Sequence, residues 1–172
     1  MKQIFLYEHP YSKCIRFSNS LFNEPLAKNQ IPAHVEKIIF NDCFNQALQP
    51  NVIPRSVQSI IFGNKFNQIL DKTNIPDSVI YIGLGSDFCQ SLAELPKSVK
   101  NLRFNQLYYP VINNLPNTIR FITLDRINCI VSNLPILLEK ITLIYCFLEE
   151  LPNLRLPYNC IIEDLYGNKL EL

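Results

Sequence analysis

Across 172 residues the chain carries 48% apolar and 18% charged side chains and a net charge of +1, a composition that supports a continuous core and excludes a disordered tail. No segment is strongly basic or acidic, so the electrostatic footprint of a nucleic-acid binder is missing. The most apolar run, Leu134 to Leu148, is interrupted by Glu139 and Lys140 and falls short of the ~20 apolar residues of a membrane span.

The opening MKQIFLYEHP makes a poor signal peptide, because Glu8 and His9 end its apolar run. A cytoplasmic, reducing location is therefore expected. An imperfect unit follows within residues 1–30, where Lys13 to Leu26 reads KCIRFSNSLFNEPL. Complete copies then begin at residues 31, 53, 75, 95, 115, 134 and 151, each opened by Ile-Pro or Leu-Pro, at spacings that shrink from 22 to 17 residues. The clearest pair is IPAHVEKIIFNDCFNQALQPNV and IPRSVQSIIFGNKFNQILDKTN. Self-similarity at such a period marks a solenoid, here one repeat domain spanning residues 1–172.

Each copy places an aliphatic residue three positions after the proline and apolar residues three and five positions further on. The triplets are Val35-Ile38-Phe40, Val57-Ile60-Phe62, Val79-Ile82-Leu84, Val99-Leu102-Phe104, Ile119-Ile122-Leu124 and Leu138-Ile141-Leu143. The period-two ending predicts a short strand with one buried face. Proline suits the approach to a strand, since it holds an extended φ and gives up an N–H where no ladder bond is yet needed. After each strand an aromatic and a small polar residue, such as Phe44-Asn45 or Phe66-Asn67, turn the chain, and an aliphatic such as Leu48 or Leu70 returns it to the core. A single copy has too few apolar side chains to fold alone. Stacking lets strands join a parallel sheet, buries the Phe positions between neighbours and lets the turn asparagines bond to adjacent backbone. Copies of this length leave room on the convex side for only loops or short 3-10 turns.

Written in register, the strand residues facing away from the core form three columns: Cys14, Lys37, Ser59, Tyr81, Asn101, Phe121, Lys140; then Arg16, Ile39, Ile61, Gly83, Arg103, Thr123, Thr142; then Ser18, Asn41, Gly63, Gly85, Asn105, Asp125, Ile144. Glycine in a strand is unfavourable unless something approaches the backbone closely. Lys37, Ile39, Ile61, Gly63, Tyr81, Gly83, Gly85, Arg103 and Phe121 are therefore the candidate contact residues, arranged as a shallow apolar depression on a concave face and rimmed by Arg103 and Lys37. The alternative for the glycines is that they serve only the turn.

No other group of residues carries chemistry. Cys14, Cys43, Cys89, Cys129, Cys146 and Cys160 include no C-x-x-C pair and no histidine at ligand spacing, so no metal and no cofactor is expected; reduced, packed thiols are. His9 and His34 lack a nucleophile or paired carboxylate, and no enzymatic activity is expected. Glu149-Glu150 and Glu163-Asp164 read as solvated surface.

The frame L-x-x-L-x-L resembles the leucine-rich repeat. The fuller pattern, Phe44-Asn45-Gln46-Ala47-Leu48 to Ile53-Pro54 and Phe66-Asn67-Gln68-Ile69-Leu70 to Ile75-Pro76, resembles the FNIP repeat, abundant in amoeboid protists and the giant viruses that infect them. The resemblance covers about residues 9–172. It implies a β-rich solenoid with a parallel sheet on its concave face, acting as a non-catalytic protein-interaction or scaffold module with no nucleic-acid or membrane partner, in the cytoplasm, a host cell or a virion. At the far end, Leu165 to Leu172 supplies no evident polar cap, so either the preceding residues fold over the last edge strand or it pairs with another chain; self-association through it, in a structural or assembly protein, is the alternative expectation.

Overall fold

The computed structural model describes residues 6–7, 12–105, 112, 114–125, 131–145 and 154–171. They form one nine-stranded sheet whose spatial order is the chain order: β1 (Leu6–Tyr7), β2 (Cys14–Arg16), β3 (Lys37–Ile39), β4 (Ser59–Ile61), β5 (Tyr81–Leu84), β6 (Asn101–Phe104), β7 (Phe121–Leu124), β8 (Lys140–Leu143) and β9 (Ile161–Asp164). From β2 to β9 every pairing is parallel and in repeat register, with Ile15, Ile38, Ile60, Ile82, Leu102, Ile122, Ile141 and Ile162 in one inward row. All eight are buried. Each coil thus contributes one strand to the sheet, and its returning segment closes the core from behind. No helix among the described residues is long and apolar enough to cross a membrane.

The entry to each strand is a tight turn made by the Ile/Leu-Pro motif. The carbonyls of Pro32, Pro54, Pro76, Pro96, Pro116 and Pro135 each accept the N–H of the residue three positions later, at 2.9–3.2 Å. That residue is the aliphatic Val35, Val57, Val79, Val99, Ile119 or Leu138, and all six are buried. Proline fits this first position because its φ is already set and its missing N–H is not called upon. Leu151-Pro152, the sequence start of the last copy, lies outside the described residues. β9 instead follows Leu156-Pro157, where Cys160 takes the aliphatic position and its N–H reaches the Pro157 carbonyl at 3.1 Å.

Behind the sheet runs a spine of phenylalanines. Phe17, Phe40 and Phe62 stack from coil to coil with centroids 4.9 and 5.2 Å apart, and Phe22, Phe44, Phe66 and Phe88 form a second file at 6.0, 6.2 and 6.3 Å. The files also meet each other within a coil, at 4.3 Å for Phe40–Phe44 and 3.8 Å for Phe62–Phe66. Near-parallel rings at this spacing are the offset-stacked geometry that aromatic quadrupoles favour.

Beside the second file, the residue after each Phe builds a polar ladder. The Asn23 side-chain oxygen accepts the N–H of Asn45 and the amide of Gln46; Asn45 does the same for Asn67 and Gln68, and Asn67 for Cys89 and Gln90, all at 2.8–3.2 Å. The Phe-Asn-Gln triplet therefore divides its work: Phe fills the core, while Asn and Gln satisfy the backbone where the coil turns. Asn45→Ala strands the Asn67 N–H and the Gln68 amide and is expected to cost about 1–3 kcal/mol in urea unfolding. Asn45→Asp keeps both acceptor contacts and is expected to lose clearly less.

Both ends of the sheet are covered by the chain itself, which sequence periodicity did not anticipate. At the first edge β1 pairs antiparallel with β2, Leu6 opposite Arg16 and Tyr7 opposite Ile15. The last edge is closed by the residues that follow it. Gly167, at φ 85°, reverses the chain, Glu163 bridges Lys169 in antiparallel sense, and the Leu170 N–H reaches the Ile162 carbonyl at 2.9 Å. Asp164 organises this reversal, accepting hydrogen bonds from the Tyr166 and Asn168 N–H groups and from the Asn168 side chain at 2.7–2.9 Å. Those bonds, the Asn168 ones first, hold its carboxyl below the usual carboxylate range.

Candidate functional site

The inward row is the core, so whatever the protein contacts through its sheet must meet the alternate residues. The register lines up Cys14, Lys37, Ser59, Tyr81, Asn101, Phe121, Lys140 and Ile161 in one outward column and Arg16, Ile39, Ile61, Gly83, Arg103, Thr123, Thr142 and Glu163 in the next. Strand alternation alone places them there. Lys37, Arg16 and Phe121 are exposed; Ile39, Ile61, Tyr81 and Arg103 are half-buried.

The middle of this face is apolar. Ile61 and Tyr81 lean across Gly83, so that a Cβ built on Gly83 would sit 3.5 Å from two Ile61 carbons and 3.6 Å from the Tyr81 ring. Gly83 thus sits between these two side chains, at the place where the sequence columns predict a shallow apolar depression. Burial raises the Tyr81 phenol pKa, against a smaller opposing pull from the Arg103 charge.

Gly63 and Gly85, expected on the same patch, do something else. Both are buried. A Cβ on Gly63 would overlap the Asn41 carbonyl and stand 2.5 Å from the Asp42 Cα, and one on Gly85 would overlap the Gly63 carbonyl and stand 2.5 Å from the Asn64 Cα. What approaches these glycines is the backbone of the preceding coil, so their smallness serves internal packing at the strand exit.

Charge is distributed unevenly over the face. Toward the β9 end the cations are matched: Lys140 Nζ lies 2.9 Å from Glu163, which also accepts the Thr142 hydroxyl at 3.3 Å. Glu163 and Asp164, expected to be idle surface acids, are thus both engaged. Arg103 is matched loosely, its Nη2 3.5 Å from Asp125, and its buried Nε has no hydrogen-bond partner. Toward the β2 end, Arg16 and Lys37 have no ion-pair partner among the described residues. Asp125, which the third sequence column contained without singling it out, and Glu163, which the sequence presents as solvated surface, are the site residues that sequence reasoning missed; their signal was an acid two residues beyond the position paired with Arg103 or Lys140.

The remaining chemistry is sparse. Cys89 is exposed and Cys14, Cys43 and Cys160 are partly so. The turn positions of Cys43 and Cys89 therefore do not bury a thiol as expected, because the side chain there points outside the phenylalanine spine. Burial pushes the Cys160 thiol up to about 11. A groove of about 480 Å³ runs along the proline turns, lined by Arg55, Lys72, Asp77 and Ser78 among others. Among the described residues no three His, Cys, Asp or Glu side chains converge as a metal site would require. His9, Glu149 and Glu150 lie outside the described residues.

A stacked array of short coils with a parallel sheet on one side and turns on the other defines a repeat solenoid of the leucine-rich type. The FNIP repeat family matches twice, over residues 22–65 and 66–107, together half of the sequence. The chain belongs to the FNIP repeat family. A solved structure similar to it is described as "The crystal structure of CroV588 a novel circular LRR protein structure", at 26% identity and a TM-score of 0.62. The match covers 83% of this chain and 22% of that one, so the chain spans about a fifth of the length of the protein it resembles. No curated protein sequence matches it.

Proposed function

We propose that the chain is a non-catalytic recognition module that binds another protein through the outward face of strands β3 to β7. The observation that carries this reading is the half-buried apolar patch of Ile39, Ile61 and Tyr81 around Gly83, flanked by Lys37, Arg103 and Phe121, on the outward side of the sheet. Interface centres favour aromatic and arginine side chains on an apolar ground, and this face supplies both. Gly63 and Gly85, packed at the strand exits against the backbone of the preceding coil, serve the stacking of the coils in this reading. The solenoid's reduced cysteines suit a cytoplasmic setting, in a host cell or elsewhere.

Affinity capture from the native cell tests the reading. Bait carrying Ile61→Asp and Tyr81→Ala together is expected to lose the bound protein, while Ile69→Asp, exposed at 63% on the opposite side of the coil, is expected to retain it. Equal recovery by both baits would remove this face from consideration. A second reading, self-association in an assembly protein, is favoured by Leu165 and Tyr166, 58% and 88% exposed at the β9 end. It would use those side chains and not a free strand edge. Sedimentation of the same two baits distinguishes it, since an assembly built through the β9 end ignores Ile61 and Tyr81.

A further inference from the structure

The outward face carries positive charge on two sides of an apolar centre, without an ion-pair partner among the described residues at Lys37 and loosely paired at Arg103, and their separation is set by the sheet. Lys37 stands on β3 and Arg103 on β6, three strand spacings across the sheet and two residues along it, because Arg103 is in register with Ile39; at ~4.8 Å per strand and ~3.3 Å per residue they are about 16 Å apart. Between them lie Ile61 on β4 and Tyr81 on β5. Lys37 is exposed and Arg16 stands next to its column on β2. Arg103 holds Asp125 only at 3.5 Å, its side chain remains 41% exposed, and its Nε has no hydrogen-bond partner among the described residues. A guanidinium N–H in that state gains most from an incoming carboxylate, because a charge-assisted bond replaces an unmade one.

Resting on the recognition reading above, we propose that the partner segment is an extended peptide that crosses the strands and carries an acidic residue, an apolar residue and a second acidic residue at alternate positions. An extended chain advances about 3.3 Å per residue and points every second side chain the same way. Positions i and i+4 are then about 13 Å apart on one face, and the long side chains of Lys37 and Arg103 span the remaining ~3 Å. Position i+2 falls over Ile61, Gly83 and Tyr81. One carboxylate meets Lys37, with Arg16 adjacent, the apolar side chain covers the patch, and the other carboxylate meets Arg103. Toward β9 the Lys140 charge is already taken by Glu163, so the available positive charge draws the segment toward β3–β6.

The test is a random-peptide display library selected on the full chain at low ionic strength, followed by synthesis of the enriched peptides. Enrichment of acid, apolar and acid at i, i+2 and i+4 is expected, with affinity falling roughly tenfold on replacing either acid by its amide and roughly tenfold in Lys37→Glu. Lys37 is exposed and makes no contact that folding needs, so this variant separates charge recognition from destabilisation. Arg103→Gln is expected to lose a similar factor for the second acid only. Enriched peptides without acids that still require Ile61 would overturn the acidic motif and leave the recognition reading standing. No enrichment, or affinities indifferent to Lys37→Glu, would also overturn it. So would a short single-stranded oligonucleotide binding more tightly than any peptide with the same dependence on Lys37, which would assign the cations to phosphodiesters.

Discussion

Phe66→Ala is expected to lower the unfolding free energy by about 3–5 kcal/mol, the range for truncating a fully buried aromatic. The ring is wholly inaccessible and touches the spine in three directions: Phe62 in its own coil at 3.8 Å, Phe44 before it at 6.2 Å and Phe88 after it at 6.3 Å. A solenoid holds together through nearest-neighbour interfaces, so a hole at Phe66 weakens two interfaces as well as its own coil. No side chain from elsewhere can fill it, because each file is one residue wide. Phe66→Leu leaves most of the volume in place and is expected to cost clearly less, and Ile69→Ala, three residues on but exposed, to stay within about 0.5 kcal/mol. Urea unfolding followed by circular dichroism measures all three. A loss for Phe66→Ala no larger than that for Ile69→Ala would show that the stacked rings do not hold the coils together.

Gly85→Ala is the second large effect, expected to destabilise by about 1–3 kcal/mol, the cost of overpacking a site that must move backbone to make room. The added methyl meets the Gly63 carbonyl and the Asn64 Cα, atoms that cannot rotate out of the way. They belong to a run in which the Asn64 carbonyl accepts the Asp87 N–H at 3.0 Å, so displacement also strains the inter-coil bonding. Gly83→Ala places a methyl at ordinary contact distance from Ile61 and Tyr81 and is expected to be close to neutral for stability. The pair is diagnostic: thermal unfolding should separate two glycines that stand two residues apart in one strand and its exit. Equal losses would mean that Gly83, too, is held for internal packing, and the outward patch would lose its centre.

That contrast shows where reading residues in order stops being sufficient. Gly63, Gly83 and Gly85 look alike as strand glycines lying in adjacent columns, and the rule that such glycines admit a close approach applied to all three. It does not say what approaches. For Gly63 and Gly85 the visitor is the neighbouring coil's own backbone, a fact that depends on how tightly one strand exit nests against the last. The doubled Leu-Pro in LPNLRLP is a similar case. Periodicity pointed to Leu151-Pro152 as the last start, which lies outside the described residues, while the turn directly before β9 is Leu156-Pro157, whose carbonyl accepts the Cys160 N–H.

The repeat itself was legible without coordinates. Ile-Pro, the aliphatic three residues later and the alternating pair after it dictate a turn, a short strand and a buried row, since no other arrangement hides those side chains or spares that proline an N–H. The columns of the outward face followed from the same alternation, because parallel coils of matching turns leave no freedom of register. What only the folded chain decided lies at the ends and in the gaps between coils: Leu6–Tyr7 and Lys169–Leu170 folding back antiparallel over the outer strands, Arg103 left with an unmet N–H, and Ile61 and Tyr81 placed on either side of Gly83. These depend on contacts between residues that share no period, and a repeating pattern carries information only about what repeats.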